Sequence, residues 1–364
     1  MPFLQRRRVN FKGLRGDRKE EDGMFKLVEE VAKGGDIVIP ITHIPITQVA
    51  KGIFRLGPLE TGHASGPTSP FLVVGSERAM VLEPGQDGQA SQIVEAIQTC
   101  DLALDKVEYV WASHIHLYHV QGLSVLLGLL PKAKFLVHPR GAAHVIDTTR
   151  LMESTRGIFG VESTPEERGT KCYGPMHPIP ADRVRTVEDG QVIDLGGKQL
   201  EILHAPGHAP HHMGMFDRET RALFVGDIAV LPRPGAVRGH HDIRPPLFDV
   251  DQFVQTIHRY RALKPSMTLA FNEWGQCWEP EQFLKVVEED HVAIRDICLE
   301  GMRQKKTMQE IMRKVDEYED SVGAGASGLT EAQRAGNPVY SSGGLVGMFA
   351  YLKRKYPELE VPAG

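Results

Sequence analysis

A chain of 364 residues, 41% hydrophobic and 24% charged, has ordinary globular composition and can bury a full core without disulfides or a structural metal. Its net charge of −5 argues against a general nucleic-acid-binding surface. No apolar run is long enough to span a bilayer, so no membrane partner is expected.

Residues 1–20 hold seven Lys/Arg against two acids. This arm lacks the apolar stretch of a secretory signal and reads as a solvated or interface-bound tail. Residues 24–33 (MFKLVEEVAK) predict a short helix ended by Gly34-Gly35. From there to about residue 85 the pattern is β: ITHIPITQVAKGIFRLG alternates, and FLVVG and AMVLE are apolar runs of strand length. SQIVEAIQTC places Ile93, Ile97 and Cys100 on one helical face, VEYVWAS is a buried strand, VQGLSVLLGLL an apolar helix stopped by Pro131, and KFLVH the next strand. Residues 141–190 read as irregular, with Pro165, Gly169, Gly174, Pro175, Pro178 and Pro180. QVIDLG, KQLEILHA and RALFVGD are further strand-like runs, and TLAF at 268–271 is the last.

After residue 280 the period becomes helical, through Phe283, Val286, Val287, Ile294, Ile297 and Cys298, then Met308, Ile311, Met312 and Val315. A Gly/Ser-rich break, VGAGASG, precedes a last helix in GLVGMFAYLKRKY. The expected division is a basic arm at 1–23, an α/β body at 24–280 and a C-terminal helical segment at 281–364. Cys100, Cys172, Cys277 and Cys298 are scattered and form no C-x-x-C pair, which fits a reduced cytoplasm.

Histidine is the informative count. Of 16 histidines, seven fall in the windows 114–119 and 204–212, and a metal-free core has no reason to cluster imidazoles in this way. His114 and His116, two apart at the end of VEYVWAS, are expected to point the same way because strand side chains alternate. His119 follows where the chain turns into a helix. In KQLEILHAPGHAPHHMGMFD a strand ends at His204, Pro206-Gly207 turns the chain, and His208 is presented at the tip, with His211 and His212 following. LFVGD ends in Asp227, and TLAFNEWG offers Glu273. Ligands at the ends of adjacent strands make a site at one edge of a sheet, where open α/β sheets place function.

H-x-H-x-x-H after a strand, then A-P-G-H-A-P-H-H, then L-F-V-G-D, in this order and spacing, resemble the metallo-β-lactamase superfamily over about residues 45–280. VLEPG at 81–85 takes the place of that family's early strand ending in D-x-G. The HHM that comes shortly after His208 and the GLVGMFAYLKRK ending are similar to the glyoxalase II-like branch of hydrolases. The resemblance implies an α/β fold, an αββα sandwich with helices outside two mixed sheets, followed by the helical appendage. It also implies that His114, His116 and His208 match a three-histidine metal site, that Asp227 matches a carboxylate bridging two metals, and that His119 matches a second-site ligand. Two positions depart from the pattern. The motif reads H-x-H-x-Y-H, with Tyr118 where the family usually has Asp, and Glu273 stands where a terminal His is usual, Asn272 being the competing alignment.

The departures bear on the cofactor, which the resemblance implies to be one or two divalent or trivalent metal ions. Zinc follows from the family. A second site of His119, Asp227 and Glu273 would be oxygen-rich and shift preference toward iron or manganese. Alternatively the Tyr118 ring fills the second site and one metal is bound, or a carboxylate pair serves as general base beside a single metal. These alternatives stay open. His63, Tyr173, His212 and His241 are candidate substrate contacts, the loop residues among them because loops over a rigid scaffold carry function. His43, His138 and His291 read as structural or surface residues.

The leading expectation is a metal-dependent hydrolase acting on a small carbonyl substrate, a thioester, lactone, ester or amide, through metal-activated water, with Asp227, Tyr118 and Glu273 as its catalytic groups. No G-x-S-x-G nucleophile motif competes. Two alternatives are a mononuclear iron oxidoreductase of persulfide dioxygenase type and a non-catalytic protein with a degenerate site. The expected partner is a small molecule, and the basic arm and helical appendage leave a homodimer open.

Overall fold

The computed structural model describes residues 44–59, 68–155, 176–228, 243, 247–271, 279–322 and 345–360, together with the backbone at 38–41, 156–159, 276–277 and 344. Strands β1 (Val38–Ile41), β2 (Ile44–Ala50), β3 (Ile53–Leu56), β4 (Phe71–Val74), β5 (Ala79–Leu82), β6 (Val107–Trp111), β7 (Lys134–Val137) and β8 (Val184–Thr186) form one sheet in sequence order. It is antiparallel as far as β5 and parallel from β5 to β8. Strands β9 (Val192–Asp194), β10 (Gln199–His204), β11 (Met213–Asp217), β12 (Ala222–Phe224), β13 (Met267–Leu269) and β14 (Gln276–Cys277) form the second sheet, in which β12 and β13 run parallel.

Strand alternation sorts the apolar residues into three layers. Phe71, Val73, Met80, Leu82, Tyr109 and Trp111 face Ile202, Met213, Met215, Phe224 and Leu269 between the sheets. Their neighbours Leu72, Val74, Ala79, Val81 and Val110 face the other way. Over that outer side lie α1 (Asp87–Thr99), α2 (Leu117–Val120), α3 (Leu123–Leu129), α4 (Pro139–Ile146) and α5 (Thr149–Phe159). Leu203, Phe216, Leu223 and Val225 face out from the second sheet. They are covered by α6 (Val250–Ala262), α7 (Pro280–Arg303), α8 (Met308–Ser321) and α9 (Gly344–Lys355). The result is the expected αββα sandwich, with the C-terminal helices sharing the core of the second sheet's outer face. Among the described residues no helix is long and apolar enough to cross a membrane.

Three local expectations need correction. The irregular reading of 141–190 reaches too far: α4, α5 and β8 fall within or across it, because the Pro and Gly residues that carried the reading, Pro165 to Pro180, lie between α5 and β8. The single apolar helix after His119 is two pieces, α2 and α3. Gly122 separates them, and a Cβ there would lie 2.4 Å from the backbone of Gln86. Strand β11 goes unread in the sequence because MGMFD lacks β-branched residues; its five positions are all buried, so pairing with β10 and β12 sets it. The helix expected at 24–33 lies outside the described residues.

Candidate metal centre

The site forms where loops from the two sheets meet. Strand β6 stops at Trp111, so His114 and His116 do not sit on the strand as expected. They converge because the chain turns tightly into α2, with His116 as the residue before its first turn. His114 Nε2 and His116 Nδ1 are 2.8 Å apart. From the second sheet, Pro206-Gly207 brings the chain against α6. Gly207 has φ +136, and a Cβ there would lie 2.4 Å from Phe253 Cα, so only glycine allows this approach. His208 Nε2 is thereby placed 3.2 Å from His114 Nε2 and 3.1 Å from His116 Nδ1. The Ser113 carbonyl accepts a hydrogen bond from Met213 N at 2.7 Å, which ties the two motifs together.

Three imidazole nitrogens facing one another cannot all be satisfied by protons, since one N–H directed at one neighbour leaves another contact lone pair to lone pair. A cation resolves this by taking all three lone pairs. Four ligands held 2.0–2.1 Å from a tetrahedral ion would stand roughly 3.3 Å apart, close to the spacing found, so the donor set fits a metal. Burial first, then His119, His116 and His208, hold the His114 imidazole well below its usual pKa. That keeps it in the neutral form that binds metal.

After β12 the chain passes through Gly226, whose φ of +56 places its Cα so that a Cβ would meet His212 Nε2 at 2.4 Å. Asp227 follows. Its Oδ2 lies 3.7 Å from both His114 Nε2 and His208 Nε2, and 3.2 Å from His119 Nε2. The Tyr118 hydroxyl donates to the same oxygen. Burial would raise the Asp227 pKa, but His119, His208 and the Tyr118 hydroxyl together hold the carboxyl well below the usual range. The ligand atoms of His114, His116 and His208, and those of His114, His119 and Asp227, each lie within 4.8 Å of one another.

Two supporting groups surround this set. Glu83, at the end of β5, is buried, and its Oε2 lies 2.7 Å from His119 Nδ1 while its Oε1 accepts from Ser113 N at 3.1 Å. Burial alone would lower the His119 pKa, yet the carboxylates of Glu83 and Asp227 push it up to about 10. Sequence reasoning missed Glu83 as a functional residue. The signal was VLEPG, whose carboxylate ends the strand paired with β6.

His212 is the second. It was expected to touch substrate, but it has no exposed surface. Its Nδ1 lies 3.1 Å from the Ala205 carbonyl and its Nε2 accepts from Asp227 N at 3.1 Å. Both nitrogens are engaged, so His212 positions the Asp227 backbone instead. Burial, with His208 next, keeps it neutral, as that pair of bonds requires. His138 accepts from Arg140 N at the start of α4, and buried His291 packs on Phe253. His43, His63, Tyr173, His241, Asn272 and Glu273 lie outside the described residues.

These features agree with comparison to known proteins. The chain is 30% identical over 167 residues to a metallo-beta-lactamase fold-containing protein of Sulfurisphaera tokodaii, covering 45% of this chain and 59% of that one. It is 29% identical over 152 residues to hydroxyacylglutathione hydrolase GloC of Haemophilus influenzae, covering 42% and 61%. The chain thus spans about three-fifths of the length of these relatives. A solved metallo-beta-lactamase family protein from Thermus thermophilus shares the fold, with a TM-score of 0.58 at 16% identity over 85% of this chain and 95% of that one. The profile of the metallo-beta-lactamase superfamily matches residues 64–267, more than half of the sequence, and the chain belongs to that superfamily.

Proposed function

We propose that the protein is a metal-dependent hydrolase of a small carbonyl substrate, with thioesters first in order and lactones, esters and amides after them. The observation that carries this is the convergence of His114, His116 and His208 within 3.2 Å of one another, with the Asp227 carboxylate beside them. These residues would hold a divalent ion, as the fold implies. Zinc is the first choice by family, with iron or manganese the alternatives that Tyr118 and Glu273 introduce. When bound, such an ion polarises a carbonyl and lowers the pKa of water toward neutrality, so no Ser or Cys nucleophile is needed.

The chain's own residues hold this arrangement. His212 fixes the Asp227 backbone, Glu83 fixes both His119 and the Ser113 turn, and the Tyr118 hydroxyl orients the Asp227 carboxylate. Glu273 stays a proposed catalytic residue on the sequence pattern TLAFNEWG alone. The thioester preference is supported by the likeness to a hydroxyacylglutathione hydrolase, since an acylated glutathione is a thioester. In the same reading the sheets of residues 24–280 supply the site and the helices of 281–364 buttress it. Free Cys100 and Cys298 are in keeping with a cytoplasmic setting, and sedimentation would test for a homodimer.

The test is hydrolysis of an acyl-glutathione, an acyl-coenzyme A, a lactone and an aryl ester by protein loaded in turn with zinc, iron and manganese. Activity should vanish on chelation and return on reloading, and His208→Ala should lose metal and activity together. Inactivity with every metal, or undiminished metal content in His208→Ala, would sink the assignment. The contact between Tyr118 and Asp227 also favours a second reading, a single-iron oxidoreductase. Oxygen consumption with glutathione persulfide would single that one out.

A further inference from the structure

We propose that Tyr118 makes this a one-metal centre, its ring and hydroxyl occupying the position where a second ion would bind. The inference rests on the reading of His114, His116 and His208 as metal ligands, and it concerns the neighbouring His119–Asp227 position. Among the described residues that position offers His119 Nε2 and Asp227 Oδ2, 3.2 Å apart, plus His114, whose Nε2 already faces the first site. Protein sites for ions of this type supply three or four donors. Of the two donors left, the Asp227 oxygen already accepts from the Tyr118 hydroxyl. The other nitrogen of His119 is held by Glu83 at 2.7 Å.

The aromatic packing points the same way. The Tyr118 ring centroid is 4.3 Å from that of His119, but 6.1 Å from His114 and 6.2 Å from His116. The phenol therefore covers the His119 side and leaves the three-histidine side clear. The buried Phe271 ring also lies on His119, at 4.9 Å. Two rings and a continuous chain of contacts from Tyr118 through Asp227 and His119 to Glu83 thus take up the second position. Tyr118 acts as a positioning residue: it fixes the Asp227 carboxylate by a hydrogen bond where a second ion would fix it by coordination.

The experiment is a metal count on the full chain. Metal-stripped protein is loaded with excess zinc or ferrous iron, desalted and analysed by plasma emission, alongside a calorimetric zinc titration. Wild type should hold about one ion per chain in a single binding event, and His208→Ala should hold none. Tyr118→Asp, checked for folding by its thermal transition, should rise to about two ions, as in paired-metal sites. Tyr118→Phe should stay at about one, because the ring remains. Two ions in wild type would overturn the one-metal centre while leaving the three-histidine site standing. No ion in wild type, or an ion retained in His208→Ala, would overturn both. A visible charge-transfer band in the air-oxidised iron protein that disappears in Tyr118→Phe would show the phenol to be a ligand and overturn the inference. A folded Tyr118→Asp that still binds one ion would do the same.

Discussion

Glu83 has a left-handed backbone, φ +60, at the end of an extended strand. That turn of the chain lets one carboxylate reach both the Ser113 amide and the His119 ring. A carboxylate behind a histidine fixes the ring's tautomer and direction, and removing such a partner typically costs 10- to 100-fold in metal affinity. Glu83→Ala should therefore weaken metal binding by roughly that factor, measured by competition with a coloured chelator, while His208→Ala removes binding outright. Unchanged affinity in folded Glu83→Ala would show that the histidines hold their geometry without it. The contrast also marks what can be read from residues alone. His114 and His116 were legible because metal ligands repeat one side-chain type within a few positions, and His208, 94 and 92 residues from them, because A-P-G-H-A-P-H-H matches a motif of the family. Glu83 and His212 were not legible as supports, because their partners stand 30 and 36 residues away for Glu83 and 15 away for His212. Which ring nitrogen is occupied is decided only when the sheets come together.

Among the elements, the turn from β10 to β11 is held closely against α6. The Gly207 carbonyl accepts from Asp249 N at 2.8 Å, and the Pro206 carbonyl accepts from Thr256 Oγ1 at 2.7 Å, so the His208 turn is moulded onto the first turns of α6. In Gly207→Ala the added methyl would meet Phe253 Cα at 2.4 Å in a backbone region that costs on the order of 1–3 kcal/mol for other residues. The turn and α6 must separate, carrying His208 with them. Gly207→Ala should lower the unfolding midpoint and weaken metal binding together. A drop in midpoint with metal affinity intact would mean that the turn relaxes without moving His208. Strands such as FLVVG and AMVLE were readable as apolar runs of strand length, since each buries both faces in a defined layer. Buried β11, paired on both sides, was not, because MGMFD carries no strand signature of its own and takes its conformation from its neighbours.

At the scale of the molecule, the ligands come from both sheets, so the site is only as firm as the contact between them. That contact is tied at each end of β10. Near the site, Met213 N bonds to the Ser113 carbonyl. At the far end the buried Lys198 ammonium bonds to Asp217 at 2.6 Å and to the Lys51 carbonyl at 2.7 Å, joining the second sheet to the β2–β3 turn. The second sheet is in turn backed by helices beyond residue 280. Phe283, Leu284, Phe349 and Leu352 are each at most 2% exposed, in one cluster with Leu203, Phe216, Leu223 and α6. Burying side chains of this size contributes roughly 1.5–3 kcal/mol each, and a domain's whole stability is only about 5–15 kcal/mol. Losing them should exceed what the remaining chain can absorb. A chain ending at residue 279 should therefore show no sharp thermal transition, bind a hydrophobic dye, and fail to retain metal, although the described metal-centre residues would all still be present. A sharp transition with metal retained would show instead that the helical segment is an independent layer, and that the sheets alone set the geometry of the centre.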